Sequence, residues 1–484
     1  MSDSTVLLVA AREAYRRRDW ILARERFGTA CEQAPLAADD LRALADCSWW
    51  LGDLDQALPA QQAAYRLYVD AGQPRPAAMM ALETGYTLAL RGEDAQASGW
   101  IGRAIRLLQD EPEAAEHGYL VYLDFEGALG AADLDAALAA ALRVHSLGVR
   151  FGDPNLIAMG VLGQGRVLVK HGRVTEGMAL LDEAMVAAVS DDLEPGWAGN
   201  IYCHLMLACH EIADLRRAGE WTRATARWCD SMPGAGPFMG ICRVHRAQLL
   251  QVRGAWDEAE REVVRVCAEL AHFHVSSVAE AHFQLGDLRR QRGDLPGAET
   301  AFRAAHGLGR DPQPGLALLR LAQGRAETAA ASIRIALAAA APDPLARARL
   351  LPAAVEIGIA IGDVERASDA SAELAAIARS YDTGGLAAVA SHARGAVLLA
   401  EGGAEQALQQ LREALRLWQG LAAPYEAARV RVLMARACEA LGDGDTATLE
   451  RAAARAEFVR LGAPPYPGTA APARGARTDG LTQR

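Results

Sequence analysis

The chain has 484 residues, of which 51% are apolar and 6% aromatic, and its formal net charge is −11 at pH 7. It is too long for one compact core, has no run of about 18 apolar residues that could span a membrane, and is too acidic to bind a nucleic-acid backbone by itself. No signal peptide opens it and no Cys-x-x-Cys pair occurs among its eight cysteines, so we predict a cytoplasmic protein with reduced thiols.

A turn motif recurs along the chain with a nearly constant period, about 40 residues in most units, as in helical-repeat proteins. In five copies an acidic residue directly follows a glycine, and in most copies an alanine comes shortly after the turn. The interval from Gly172 to Gly254 is twice the usual one, so we place one more turn, without glycine, at Ala213-Asp214-Leu215. The other copies are Arg18-Asp19-Trp20, Gly52-Asp53, Gly92-Glu93, a looser one from Gly130 to Asp135, Gly172, Gly254, Gly293-Asp294, Gly324, Gly362-Asp363, Gly402 and Gly442-Asp443.

The stretch around Gly293 shows what each position of the motif does. Gly293 can adopt the left-handed conformation that ends one helix, and Asp294 can cap the next. Small residues at Gly286 and Ala298 allow two helices to approach closely, while Phe302 fills the space between them. This spacing resembles a tetratricopeptide (TPR) repeat, although the period is longer than the usual one of about 34 residues.

The recurrence predicts an all-α fold, a right-handed α-solenoid of about twelve TPR-like helical hairpins over residues 1–461. The hairpins must stack because none can bury its apolar face alone. The unit around Pro312, from Gly293 to Gly324, is clearly shorter than the others. Residues 462–484 are rich in proline, glycine and arginine, so we predict a flexible basic tail there.

The segment 190–244 lacks a turn glycine and is unusually rich in large rings. A solenoid binds partners on its concave face, where rings would stack on a small molecule or a peptide side chain. We therefore take as candidate ligand-binding residues Trp197, Tyr202, Trp221, Thr225 and Trp228. The alternative is that these rings fill the core, as aromatic residues at helical spacing usually do.

The sequence offers no catalytic, cofactor or metal site. Its single lysine, Lys170, stands outside any Gly-Lys-Ser/Thr sequence, so a P-loop is excluded. Cys203-His204 and Cys209-His210 have no second cluster that would complete a four-ligand metal site. We therefore predict that the chain is not an enzyme and needs no cofactor.

Several stretches resemble the helical-repeat sensor region of actinobacterial LuxR-type transcriptional regulators. The longest are residues 172–185, Asp214-Leu215-Arg216-Arg217-Ala218, Arg227-Trp228-Cys229-Asp230, residues 312–324 and residues 423–431. In that family a DNA-binding helix-turn-helix domain follows the repeats and opens with a sequence similar to Gly480-Leu481-Thr482, near the end of this chain.

The resemblance implies a regulatory domain that senses an unknown small molecule, protein or peptide on its concave face. We expect no direct DNA binding by this chain, no membrane association, and a possible homodimer. The alternative is a stand-alone TPR scaffold for protein–protein interaction. Under the first hypothesis, the gene would continue in frame beyond Arg484 into a helix-turn-helix domain.

Overall fold

A computed structural model describes residues 3–190, 192–230 and 236–464, with side chains given for 5–190, 192–228 and 243–464. Across these ranges every regular element is an α-helix, and 24 helices form twelve consecutive antiparallel hairpins. The predicted all-α solenoid of about twelve hairpins is therefore confirmed.

The helices are α1 (Asp3–Arg16), α2 (Trp20–Gln33), α3 (Ala38–Trp50), α4 (Leu54–Asp70), α5 (Pro74–Leu90), α6 (Asp94–Leu108), α7 (Ala115–Gly130), α8 (Leu134–Phe151), α9 (Pro154–Lys170), α10 (Val174–Val189), α11 (Pro195–Glu211), α12 (Leu215–Asp230), α13 (Gly236–Val252), α14 (Trp256–Glu269), α15 (Val275–Gln291), α16 (Leu295–Gly307), α17 (Gly315–Ala322), α18 (Ala326–Ala339), α19 (Pro344–Ala360), α20 (Val364–Tyr381), α21 (Gly384–Ala400), α22 (Ala404–Gly420), α23 (Pro424–Ala440) and α24 (Gly444–Leu461). Hairpin 1 is α1 with α2, hairpin 2 is α3 with α4, and so on to hairpin 12.

One residue in the turn inside each hairpin has a positive φ. Nine of these are glycines, and the other three are Arg18 in the first turn, Ala132 in the fourth and Ala213 in the sixth. Ala213 lies in the turn predicted to lack glycine. In the fourth turn the left-handed residue is Ala132 (φ 59°), two positions beyond Gly130. With Ala132 as the reference, the interval from Gly92 to Ala132 equals the interval from Ala132 to Gly172, so the period is regular there.

Where the residue after the turn is an aspartate, it caps the second helix, whereas Glu93 of the third turn makes no such bond. Asp294 accepts a hydrogen bond from the Gly297 amide at 3.0 Å, as the sequence predicts. Such a bond satisfies one of the amides that a helix leaves unpaired at its first turn. The same cap is made by Asp19, Asp53, Asp133, Asp214, Asp363 and Asp443.

Small residues bring the two helices of a hairpin into backbone contact. A Cβ placed on Gly165 would lie 2.8 Å from the carbonyl oxygen of Gly177, and one on Gly177 would lie 2.7 Å from that of Gly165. In hairpin 8, a Cβ on Gly286 would lie 2.6 Å from the ring of Phe302, which is buried. The predicted roles of Gly286 and Phe302 are therefore confirmed.

The helices form two layers. Each odd-numbered helix contacts the next odd-numbered helix along most of the solenoid, whereas among even-numbered helices α10 and α12 make the main such contact. The odd helices are thus closely spaced on the concave side, and the even helices spread on the outside. We call the space enclosed by the odd helices the lumen.

The solenoid coils tightly enough for its successive turns to touch. Lys170, at the end of α9 in hairpin 5, places its Nζ 2.9 Å from Oδ2 of Asp343, which precedes α19 in hairpin 10. Likewise, Gly92 in hairpin 3 lies against Val275 at the start of hairpin 8. Hairpin n therefore meets hairpin n+5, and five hairpins complete one superhelical turn. Further contacts of this kind join Ala213 to Gly385, Gly254 to Pro424, and Gly293 to Pro464.

Candidate functional site

A polar residue recurs six positions before the left-handed turn residue on the odd helices α3 to α9 and faces the lumen. Asp46, Tyr86, Glu126 and Arg166 come from α3, α5, α7 and α9, and each is one repeat period from the next. A residue next to a close-packing position projects from a different face of its helix, here the one towards the concave side. The repeat period therefore places one polar side chain per hairpin along the lumen.

The charges along the lumen pair between neighbouring odd helices. Arg42 on α3 bonds Glu83 on α5 at 2.9 Å, and Lys170 on α9 bonds Glu211 on α11 at 2.9 Å. Burial raises the pKa of Glu83 to about 8, although Arg42 opposes that shift. These hydrogen-bonded pairs leave the lumen wall polar.

Arg166 and Glu126 form the most complete of these pairs. The guanidinium of Arg166 binds both carboxylate oxygens of Glu126, with Nη2 and Oε2 3.1 Å apart. Burial alone would raise the pKa of Glu126, but the pairing with Arg166 outweighs it and lowers that pKa. Glu126 is consequently held as a carboxylate.

The larger cavity in the lumen has a volume of about 340 Å³. Helix α5 of hairpin 3 forms one wall, and α11, α13 and the start of α15, from hairpins 6 to 8, form the others. Its lining residues are Tyr86, Leu90, Asn200, Cys203, His204, Val244, His245, His274, Ser276, Ser277 and Glu280. The cavity is therefore built from both superhelical turns, next to the contact between Gly92 and Val275.

Tyr86 is the largest side chain that opens into this cavity. It is 45% exposed, and desolvation by the surrounding protein raises the pKa of its phenol. Its ring lies 6.4 Å from that of Trp49, whose ring is 5.7 Å from that of Phe273. Aromatic packing between hairpins 2, 3 and 7 thus holds Tyr86 in position.

A second cavity of about 190 Å³ adjoins the first at His204, which lines both. Its charged wall consists of residues of the pairs described above, namely Glu126, Arg166, Lys170 and Glu211. The remaining lining residues are Leu129, Gly130, Val169, Leu207 and Ala208. The two cavities together form a groove along α5 to α15.

The histidines of the larger cavity are uncharged near neutral pH. Burial lowers the pKa of His204 to about 3 and that of His274 to about 4, and it also lowers the pKa of His245. A neutral imidazole offers one hydrogen-bond donor and one acceptor. Chemically, the cavity presents neutral polar groups beside the apolar surfaces of Leu90 and Val244.

None of the five predicted ligand-binding residues lines this cavity, and Tyr202 is the one with a ring contact to a lining residue, His245. Tyr202 is buried, with its hydroxyl 3.2 Å from Thr222 and its ring 6.1 Å from that of His245. Trp197 packs 5.1 Å from Tyr119, and Trp221 donates its Nε1 hydrogen to Asp182 at 2.7 Å. Thr225 and Trp228 are buried. Ligand binding by these five residues stays a prediction.

The cavity draws on helix α11 through residues that the sequence analysis did not choose as ligand-binding, although it considered Cys203-His204 as metal ligands. Asn200, Cys203 and His204 line it, interleaved with Trp197 and Tyr202. Ring content did not indicate them because it does not show which face of α11 looks inward. The repeat register would not have found them either, because the position six residues before the turn residue Ala213 is Leu207, which lines the second cavity instead.

Metal binding and membrane insertion have no counterpart in the described part of the chain. Among residues 5–190, 192–228 and 243–464, no three His, Cys, Asp or Glu side chains gather as a metal site would require. No helix in the described ranges is both long and apolar enough to span a bilayer. The predicted tail lies outside the described residues from position 465 onward.

No protein-family model and no curated protein sequence matches the chain. Among solved structures, it is similar to the APC/C hetero-tetramer Cut9–Hcn1, with 12% identity over 94% of this chain and 94% of that chain and a TM-score of 0.40. It is also similar to yeast Tom70, with 13% identity over 93% of this chain and 96% of that chain and a TM-score of 0.36. A third similar structure is BtubC from P. vanneervenii, with 21% identity over 46% of this chain and 96% of that chain and a TM-score of 0.31.

At these identities and TM-scores, the likenesses carry no argument about what the chain binds. The TPR-like character of the fold rests on the chain itself, on twelve hairpins with a left-handed residue in each turn.

Proposed function

We propose that the chain is a ligand-sensing regulatory solenoid of the kind found in LuxR-type transcriptional regulators, and that its ligand occupies the larger lumen cavity. The observation that supports this most is the composition of the cavity wall. Tyr86 belongs to the first superhelical turn and Ser277 to the second, so one bound molecule would contact both. The cavity volume of about 340 Å³ falls within the range of about 300–1,000 Å³ typical of small-molecule sites.

A ligand that contacts both turns acts on the shape of the superhelix. It binds more tightly when hairpins 3 and 8 are held together than when they separate, so occupancy favours the closed coil. The spacing of the turns then changes with ligand concentration. In a LuxR-type regulator this change would alter how two helix-turn-helix domains pair on DNA.

The regulatory assignment draws its support from the LuxR-like stretches, such as residues 172–185 and 312–324, whose agreement extends beyond what repeat packing needs. The gene sequence tests it directly. An in-frame helix-turn-helix domain after codon 484 supports the assignment, and a stop codon at that point favours the stand-alone scaffold or a decayed regulator. We expect residues 1–484 alone to show no sequence-specific shift of duplex DNA.

Thermal-shift screening with a small-molecule library tests the ligand site. A compound that binds only the folded chain raises the melting temperature, by the equivalent of about 2.7 kcal/mol at a hundred times its Kd. We expect such compounds to lose this effect in Tyr86→Ala and to keep it in Leu142→Ala, which truncates an exposed residue on the outer helix α8. Hits that respond equally to both substitutions would place the ligand elsewhere.

The ring-rich segment is proposed as a support for this site. Tyr202 packs edge-on against His245, which lines the cavity, so the core around α12 holds that wall. Trp221→Ala or Trp228→Ala should weaken the ligand response while leaving the helicity nearly intact. A variant that simply melts would favour the alternative, in which the rings only fill the core.

A stand-alone scaffold for protein–protein interaction is the second candidate, favoured by apolar side chains on the outer layer. Ile105, Leu142, Val149 and Val186 are at least half exposed and lie on α6, α8 and α10 of consecutive hairpins. Apolar surface of this kind commonly marks an interface. If two copies associate through it, sedimentation equilibrium will show a dimer that Val149→Arg converts to monomer.

A further inference from the structure

The charges around the larger cavity restrict what it can hold. Neither arginine nor lysine is among its lining residues, so an anionic ligand would enter without a cation to pair with. Its one acidic residue, Glu280, is already bound by Arg310 at 2.6 Å and approached by the amide of Gln248 at 3.4 Å. A cationic ligand would therefore have to compete with Arg310 for a neutralised carboxylate.

The remaining lining groups are apolar or neutral and polar, and they occupy different walls. Tyr86 and Leu90 on α5 supply an aromatic and an aliphatic surface, and Val244 on α13 adds to it. Asn200 and Ser277 supply an amide and a hydroxyl from α11 and α15. Both leave hydrogen-bonding capacity for a ligand, because Asn200 accepts a long bond of 3.3 Å from Tyr122 and Ser277 bonds His274 through its backbone amide.

We propose that the cavity binds an uncharged, mainly apolar small molecule carrying at least one hydrogen-bonding oxygen. This inference rests on the proposed function and specifies its ligand class. The apolar part of the molecule lies against Tyr86, Leu90 and Val244, and the oxygen is bound by the amide of Asn200 or the hydroxyl of Ser277. A charged molecule of the same size is excluded by the cost of burying its charge without a partner.

Three fluorescent probes of similar size test the ligand class on the full chain. Nile red is uncharged, apolar and carries a carbonyl oxygen; 1-anilinonaphthalene-8-sulfonate is an anion; proflavine is a cation. Each probe is titrated with wild type, Tyr86→Ala and the matched control Leu142→Ala. The three titrations give the affinity of the probe and show whether that affinity depends on the cavity. Both substituted side chains are substantially exposed, so neither change empties the core.

We expect Nile red to bind one molecule per chain, with an affinity that falls about tenfold in Tyr86→Ala through loss of the ring contact and is unchanged in Leu142→Ala. The two charged probes should show no binding that depends on Tyr86. Ser276→Arg, at an exposed position on the rim, should weaken Nile red and allow the anionic probe to bind.

The other outcomes separate the ligand class from the site itself. If a charged probe binds wild type more tightly than Nile red and depends on Tyr86, the cavity is a ligand site but the uncharged class is wrong. If no probe distinguishes Tyr86→Ala from Leu142→Ala, the lumen is not a ligand site and the proposed function fails with it.

Discussion

Replacing Lys170 by methionine tests whether the superhelical turns hold one another. Its Nζ lies 2.9 Å from both Glu211 and Asp343, and the latter belongs to the next turn. Burial alone would lower the pKa of Lys170, but its two carboxylate partners outweigh this effect and raise it. The pKa of Asp343 is lowered because its bonds to Lys170 outweigh the effect of burial.

The expected cost of Lys170→Met follows from the exposure of the three groups. The side chains of Lys170, Glu211 and Asp343 are 20%, 20% and 31% exposed, so these ion pairs are intermediate between surface pairs and buried ones. Surface pairs contribute about 0–1 kcal/mol, whereas removing one partner of a buried pair costs about 3–5 kcal/mol. We therefore expect a loss of about 2 kcal/mol, because two carboxylates are left facing each other without a cation.

Denaturant unfolding measures this loss, and Arg173→Met is the matched control. Arg173 is in the turn after α9 and pairs with Glu176, but both side chains are more than half exposed, so we expect no measurable change. Lys170→Met combined with Glu211→Gln and Asp343→Asn should recover most of the stability. Asparagine can still cap α19, as Asp343 does through the amides of Leu345 and Ala346.

Amine labelling reports the same contact without a substitution at Lys170. An N-hydroxysuccinimide ester modifies amines, and mass spectrometry measures the rate of modification at each one. Because Lys170 is the single lysine in the sequence, the N-terminal amine serves as the internal reference. We expect slow labelling of Lys170 in wild type and faster labelling in Asp343→Asn. Equal stability of Lys170→Met and wild type, with Lys170 labelled as fast as the free terminus, would refute a contact between the turns.

Three further predictions concern stability. Gly293→Val should cost about 1 kcal/mol or more, because the φ of +81° disfavours a side chain, and an unchanged denaturation midpoint would contradict the left-handed turn. Ala132→Gly should stabilise the fold by about 0.5–1 kcal/mol, because the positive φ of 59° at Ala132 strains a residue with a side chain. The control Ala131→Gly, at φ −81°, should not stabilise it, and urea unfolding of both variants measures the difference. The depressed pKa values of His204 and His274 stabilise the fold fully above about pH 6.5 and progressively less as the pH falls towards 4 and 3, so each should cost about 1 kcal/mol between pH 7.5 and 5.5. The raised pKa of Glu83 acts in the opposite direction over this range, so the pH dependence of the melting temperature is compared between wild type and His204→Gln. An identical dependence in the two proteins would show that His204 titrates normally.

The residues that line the candidate site were only partly predictable from the sequence. The ring-rich segment directed attention to α11, and α11 does supply part of the cavity wall. Tyr202, however, packs into the core, while His204, two positions later, faces the lumen. A helix of the inner layer contacts both neighbours and the lumen, and ring content alone does not distinguish these faces.

The local signals in the sequence determined the hairpins. Left-handed turn residues, aspartate caps and small packing residues act over a few positions, so Gly293 and Asp294 could be assigned to their roles from the sequence alone. Even the turn without glycine at Ala213 was found, because the regular period leaves one position for it. Tertiary structure alone decided that hairpin n meets hairpin n+5, which brings Lys170 to Asp343 and Tyr86 opposite Ser277. That closure depends on small rotations between successive hairpins that accumulate over five units, and no single repeat encodes their sum.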